Sequence, residues 1–396
     1  MSLSRSVKLA SRRSYLVLLT SLVFVLLLAL AGCFRGGGAA LPGAVHYHRL
    51  SQEPSSSPTT YRNPSPHAQK YMKVQSTIAA DFPLTLHKPK NATCNHPPRH
   101  NGVIVYTLGA NAADQKAEML GEIAIALSRL EDQFNQYACY PILLFHTGLL
   151  KSEQLKLATY TTAEMKLIDV SAVWHFPPVL IDEIAAQNVT WDEICRCGAS
   201  MKFPPDYCLM GPWWIYYIFK TGYLKPYDYW WRMDTDTYLI SPLPTDPFDL
   251  IAQRKFAFSY VQFEESEMEF APCITSLHDT AVNYAKLAGA VDTQTRKMLE
   301  NRGGRWSGWW AVAETKFFHS EAYFGFTSYL VENWPWRERW GEQAVWPVLF
   351  GFFDDLPTFK YPWREYLIHK QDANPEIVKA QCSQQLAPLC MKHKPW

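Results

Sequence analysis

The stretch from Gly102 to His146 restricts the fold more than any other part of the chain. Gly102-Val103-Ile104-Val105-Tyr106-Thr107-Leu108 is a short apolar run of strand type followed by Gly109, and Tyr140-Pro141-Ile142-Leu143-Leu144-Phe145-His146 is a second. Between them Met119, Leu120, Ile123, Leu127 and Leu130 recur at helical spacing, predicting a helix from Asp114 to about Phe134. Buried strand, helix and buried strand, joined by a right-handed crossover, open a parallel-sheet α/β domain. The alternation continues. An aromatic-rich strand runs through Tyr229 to Asp236, Lys255–Phe263 is strand-like, and His278–Glu300 has a helical pattern. One α/β domain over residues 101–396 is therefore expected.

The N-terminus sets a topology. Tyr15 to Phe34 is an uncharged, strongly apolar run of 20 residues, about what a helix needs to cross ~30 Å of hydrocarbon. Arg5, Lys8, Arg12 and Arg13 precede it and only Arg35 follows closely. The positive-inside rule then keeps residues 1–14 cytosolic and sends the rest across the membrane. The run is longer than the apolar region of a cleaved signal peptide, so 15–34 is expected to be a signal anchor. Leu30-Ala31-Gly32-Cys33 also fits a bacterial lipoprotein cleavage box, with Cys33 alternatively a thiol at the membrane interface. Residues 35–100 are rich in Gly, Pro, Ser and His, include Pro54-Ser55-Ser56-Ser57-Pro58, and lack apolar periodicity. They are expected to form a disordered stem.

Lys and Arg (38) nearly balance Asp and Glu (37) without a long basic run, so no nucleic-acid footprint is expected. Beyond the apolar run lie Cys94, Cys139, Cys195, Cys197, Cys208, Cys273, Cys382 and Cys390. An even count in an oxidising compartment implies disulfides of open connectivity. The sequons Asn91-Ala92-Thr93 and Asn188-Val189-Thr190 agree with passage through the secretory route. Most of the 15 Trp lie between Trp213 and Trp346, a density that demands a large core and leaves a few rings for stacking on sugars.

The sharpest local signal is Trp230-Trp231-Arg232-Met233-Asp234-Thr235-Asp236-Thr237. On a strand, side chains at i and i+2 leave the same face, so Asp234 and Asp236 are expected to share one cation at a strand end. A hard divalent ion there neutralises the charge that gathers on a departing diphosphate when a sugar nucleotide is cleaved. Ligands of open α/β sheets sit at such strand ends. An acid-any-acid tripeptide alone also describes a solvated turn. The aromatic strand before it and the membrane anchor tip the reading towards metal-dependent glycosyl transfer.

Five blocks in order resemble the fungal α-1,2-mannosyltransferases of glycosyltransferase family 15, over most of residues 102–370. They are Leu130-Glu131-Asp132-Gln133-Phe134-Asn135 with Tyr140-Pro141, Leu224-Lys225-Pro226-Tyr227-Asp228-Tyr229-Trp230-Trp231-Arg232, the acidic motif itself, Ser320-Glu321-Ala322-Tyr323, and Glu338-Arg339-Trp340-Gly341. The resemblance implies a GT-A-like nucleotide-diphospho-sugar transferase fold, type II Golgi topology and Mn²⁺ as cofactor. It also implies GDP-mannose as donor, a glycoprotein or glycolipid glycan as acceptor, and retention of anomeric configuration. Asp234 stands where that family has Glu, with Asp236 as the second acid, and His369 in Glu365-Tyr366-Leu367-Ile368-His369 is implied as the third metal ligand. Tyr207 resembles a donor-pocket tyrosine. The arginine that follows it in the family is Pro212 here, and Ala311 falls at a family glutamate. Glu314, three residues on, and Glu321 are the candidate catalytic acids, although front-face attack with the donor phosphate as base needs no protein carboxylate. Glu342 matches an acidic position and is expected either to bind acceptor hydroxyls or to pair with Arg339. The departures leave two alternatives: a different, UDP-linked sugar on the same fold, or a non-catalytic glycan-binding relative.

Overall fold

An eight-stranded sheet organises the chain, in a computed structural model that describes residues 84–87, 94 and, with short interruptions, 96–369. Its strands in chain order are β1 (Leu84–His87), β2 (Gly102–Leu108), β3 (Ile142–His146), β4 (Met165–Asp169) and β5 (Tyr229–Met233). After the short β6 (Thr237–Leu239), which lies outside this sheet, come β7 (Phe258–Tyr260), β8 (Trp310–Glu314) and β9 (Thr358–Lys360). The spatial order is β1-β4-β3-β2-β5-β8-β7-β9. β4, β3, β2 and β5 are parallel neighbours, as are β7 and β9, while β1 and β8 run antiparallel to theirs. The chain leaves β2 towards β3 and β4, then returns to the other side of β2 as β5. The strand order therefore reverses between β2 and β5, and ligands of open α/β sheets sit beyond the carboxyl ends of the strands at such a point.

Side-chain alternation splits the interior in two. Val103, Val105, Leu143, Phe145, Trp230, Ala311 and Ala313 pack on one face. Ile104, Tyr106, Ile142, Leu144, Trp231, Met233, Trp310 and Val312 pack on the other. A sheet covered on both sides reads as an unbroken apolar run, which is why β2 and β3 stand out in the sequence. On one side α1 (Ala113–Leu130) presents Ile123, Leu127 and Leu130 to the second group. The other side is covered by helices: α2 (Pro205–Pro212), α3 (Leu277–Leu287), α4 (Asp292–Glu300), α5 (Glu321–Glu332) and α6 (Glu342–Phe352).

The expected strands and first helix form nearly where they were read, with α1 continuing as a wide π-type turn over Glu131–Asn135. The helical stretch His278–Glu300 is two helices, because Gly289 between them takes φ +68°, a conformation L side chains avoid. The stretch Lys255–Phe263 yields β7 and, at Phe263–Glu265, a strand paired with Gly304–Trp306. Ordered structure also reaches into the stretch expected as spacer. β1 pairs with β4, Cys94 is joined to Cys139, and Arg99 and His100 contact Asp249. These pairings are between residues far apart in sequence, which local composition cannot signal. The expected tail (1–14), anchor (15–34) and spacer up to residue 83 lie outside the described residues, as do Asn91, Cys382 and Cys390. No helix among the described residues is long and apolar enough to cross a membrane.

Candidate active site

Asp234 and Asp236 sit at the carboxyl end of β5, on the switch point of the sheet. They are not on a strand, as the i, i+2 argument supposed. β5 stops at Met233, and the Thr237 N–H donates to the Asp234 carbonyl at 3.1 Å, closing a turn over Asp234-Thr235-Asp236-Thr237. The Asp234 N–H is in turn fixed by the Trp309 carbonyl, 3.1 Å away. β6 leaves this turn and pairs antiparallel with β10 (Leu367–His369), whose register sets His369 opposite Thr237. Residues 133 positions apart in sequence are thereby joined: ligand atoms of Asp234, Asp236 and His369 all lie within 4.8 Å of one another, with His369 Nε2 3.4 Å from Asp236 Oδ1. Two carboxylates and an imidazole suit a divalent ion that accepts oxygen and nitrogen ligands.

Beneath the acids lies Arg232, 1% exposed, on the same face of β5 as Trp230. Its Nε and Nη2 donate to Asp234 Oδ1 at 3.0 and 2.8 Å, and Nη2 also reaches Glu342 Oε1 at 2.9 Å. The guanidinium lies over the Trp214 ring at 4.1 Å and near Trp346 at 5.5 Å. Glu342, 4% exposed, is the first residue of α6, where the helix N-terminus favours an anion. It pairs with Arg232 rather than with Arg339, and Gly308 makes room: a Cβ there would stand 2.5 Å from Glu342 Oε1.

The charges do not balance. Asp234, Asp236 and Glu342 bring three negative charges against one guanidinium, a surplus of two that one divalent cation cancels. Burial, with Asp236 and Glu342 adding, outweighs Arg232 and His369 and pushes the Asp234 carboxyl up to about 6. A bound cation removes that penalty, so the residues present fit a resident divalent ion.

The rim is aromatic. Tyr207 on α2 is 40% exposed, and the Arg339 guanidinium lies 4.3 Å from its ring centre and 4.6 Å from that of Phe203. Burial of its hydroxyl raises the Tyr207 pKa, Arg339 opposes, and the negative charges of Glu342, Asp234 and Asp236 add to the rise. The Cys195–Cys208 disulfide ties the residue beside Tyr207 to the preceding loop. Pro212, the final residue of α2, has no N–H for the carbonyl one turn back, and the helix widens into a π-type turn at Trp213–Tyr217. From that turn Trp213 Nε1 donates to Thr107 Oγ1 at 2.9 Å and Trp214 underlies Arg232.

Glu314 and Glu321 do not join this cluster. β8 runs antiparallel to β5, so Glu314 stands opposite Tyr229, at the end of β5 remote from Asp234, while Ala311 is opposite Arg232. Glu321 is an exposed first residue of α5, seven positions beyond the end of β8. The charges acting on Asp234 are those of Arg232, Asp236, Glu342 and His369. Sequence reasoning missed Arg232 and Trp309, and of the two roles expected for Glu342 the pairing with Arg339 is replaced by one with Arg232. The signal for Arg232 was present, since a charged residue inside an aromatic strand must find a buried countercharge.

The model of the glycolipid 2-alpha-mannosyltransferase family matches residues 62–361. Among curated relatives, an O-glycoside alpha-1,2-mannosyltransferase homolog of Schizosaccharomyces pombe (homolog 2) is 22% identical over 244 residues, covering 58% of this chain and 64% of its own. The probable mannosyltransferase KTR7 of Saccharomyces cerevisiae is 21% identical over 194 residues, covering 48% and 35%. The chain thus spans less than two thirds of the length of either. Core-mannan synthase A of Aspergillus fumigatus, solved in a Mn/GDP form, superposes with a TM-score of 0.55 at 14% identity over 72% of this chain and 81% of that one. The mannosyltransferase Ktr4p of S. cerevisiae, in complex with GDP, gives 0.54 at 14% identity over 83% and 85%. The fold is that of these enzymes, and with a family match across most of its length the chain belongs to the glycolipid 2-alpha-mannosyltransferase family.

Proposed function

We propose that this protein is a metal-dependent glycosyltransferase moving mannose from GDP-mannose to a glycoprotein or glycolipid glycan, with α-1,2 linkage. The observation that carries the reading is the cluster of Asp234, Asp236 and His369 at the sheet's switch point, with its surplus of negative charge. Membership of the family supports mannosyl transfer, and the Mn/GDP form of the Aspergillus relative supports manganese and a guanine nucleotide.

In this reading Asp234, Asp236 and His369 hold the ion, which supplies positive charge to the departing diphosphate. Arg232 keeps Asp234 oriented, and Trp309 holds the turn through its carbonyl. Tyr207 and Arg339 form a half-open wall on which a ring of the donor stacks. With Glu314 and Glu321 elsewhere, retention of configuration is assigned to front-face attack, in which the donor phosphate takes the acceptor proton. A UDP-linked donor is the second reading, favoured by Pro212, which puts an uncharged residue where the resemblance led us to expect an arginine.

We further place the head in the Golgi lumen, held by the apolar run Tyr15–Phe34 as a type II anchor. The Cys94–Cys139 and Cys195–Cys208 disulfides and the exposed sequon residue Asn188 support an oxidising secretory compartment. The test is incubation with Mn²⁺, an α-mannoside acceptor and either GDP-mannose or UDP-sugars. Transfer from GDP-mannose that stops on chelation supports the assignment. Transfer from a UDP-sugar alone moves it to the second reading, and no transfer from any donor argues against an enzyme.

A further inference from the structure

Arg232 is among the most buried charges described, yet it contacts neither a solvent-facing wall nor an exposed acid. Its fork closes on one oxygen of Asp234, from Nε and Nη2, and its Nη2 is held from the other side by Glu342. The plane of the guanidinium is fixed by Trp214, 4.1 Å from its carbon, with Trp346 at 5.5 Å. Glu342 itself cannot drift, because it is 4% exposed, begins α6 and abuts Gly308. The loop just before it is anchored too, by Glu338, which accepts from the Ser276 N–H at 3.0 Å and from Trp340 Nε1 at 2.8 Å.

Two bonds to one carboxylate oxygen have a geometric consequence. A carboxylate accepts through two oxygens, and with Oδ1 engaged twice by Arg232, Oδ2 is the atom left for the shared space with Asp236 and His369. A flexible aspartate at a turn would otherwise sample several rotamers, each offering the ion a different edge. Groups behind a metal ligand commonly alter affinity by about 10- to 100-fold when removed.

We infer that Arg232, anchored by Glu342, is the positioning residue of the metal centre, clamping Oδ1 of Asp234 so that Oδ2 faces the cation. The inference rests on the metal-dependent reading above. It gives Glu342 a structural office behind the ion rather than a place on the acceptor.

The test uses two substitutions that keep every formal charge and change only geometry. Arg232→Lys replaces the planar fork by a point charge, and Glu342→Asp shortens the anchor by one methylene. Mn²⁺ affinity is measured by calorimetry and the coordination of the bound ion by the Mn²⁺ electron paramagnetic resonance spectrum, with the melting temperature of the metal-free protein as a control for folding. The expected result is a loss of Mn²⁺ affinity of at least tenfold in Arg232→Lys and severalfold in Glu342→Asp, each with an altered resonance spectrum. Should Arg232→Lys fail to fold, Glu342→Asp decides alone. Wild-type affinity and spectrum in the folded variants, or lower melting temperatures with unchanged Mn²⁺ binding, would overturn the inference and leave the metal site standing. Failure of the wild-type protein to bind Mn²⁺ would instead remove the metal-dependent reading itself.

Discussion

The Trp309 ring lies nearly parallel to the His369 imidazole, at 13° and 5.5 Å between centroids, while the Trp309 carbonyl accepts the Asp234 N–H at 3.1 Å. One residue thus contacts two of the three ligands, one through its side chain and one through its backbone. Replacing Trp309 by Ala removes the first contact and keeps the second. Loss of this 6% exposed ring is expected to lower stability by about 3–5 kcal/mol and to weaken Mn²⁺ binding, with Trp309→Phe intermediate in both. Chemical denaturation and calorimetric Mn²⁺ titration check the two effects separately.

Asp234→Ala is expected to abolish metal-dependent turnover without unfolding the head. It relieves the mutual repulsion of three acids, though it leaves Arg232 with Glu342 as its one carboxylate partner. Far-UV circular dichroism should be unchanged while Mn²⁺-stimulated transfer disappears. Full activity in this variant would remove the acid pair from the mechanism.

Gly308 is required by space. Its position opposite Glu342 Oε1 and Gln343 leaves no room for a methyl group, the nearest approach being 2.5 Å. Gly308→Ala should destabilise the protein by about 1–3 kcal/mol and displace Glu342 from Arg232. A denaturation midpoint equal to that of wild type would show that α6 moves aside freely.

Acid should weaken the fold through His319. Burial, helped by the nearby Lys225 charge, lowers this imidazole to about 4, and its Nε2 has no hydrogen-bond partner. The unfolded chain takes up the proton near pH 6.5 and the folded chain does not until about pH 4. Its contribution is therefore complete above pH 6.5 and declines as the pH falls towards 4, by up to about 2 kcal/mol at pH 5. Denaturation of wild type and His319→Phe at pH 7.5 and pH 5 measures this. The variant should show the smaller loss.

The parts of the fold written in local pattern were legible in the sequence. β2, α1 and β3 follow from an apolar run, a helical period and a second run, and Asp234 and Asp236 stand out after an aromatic strand. His369 came from resemblance alone, since nothing local marks a lone imidazole. What escaped depends on pairings between distant residues. Nothing near Glu314 shows that β8 runs antiparallel to β5, and that direction alone carries the acid away from the site. Nothing near Glu342 reveals its partner 110 positions earlier. The turn at Asp234–Thr237 gathers the acids where strand alternation was expected to do so, because the strand ends at Met233, three residues short of Asp236.

The central claim is that Asp234, Asp236 and His369 hold a divalent ion that receives a guanine nucleoside diphosphate. Melting temperature with Mn²⁺ and GDP together, against each alone and against Mn²⁺ with UDP, tests it most directly. A ligand at about 100 times its dissociation constant stabilises by about 2.7 kcal/mol. The account predicts that Mn²⁺ and GDP together raise the melting temperature of wild type beyond either alone, that UDP does less, and that Asp236→Ala loses the effect. An equal shift in Asp236→Ala, or no shift in wild type, would contradict it.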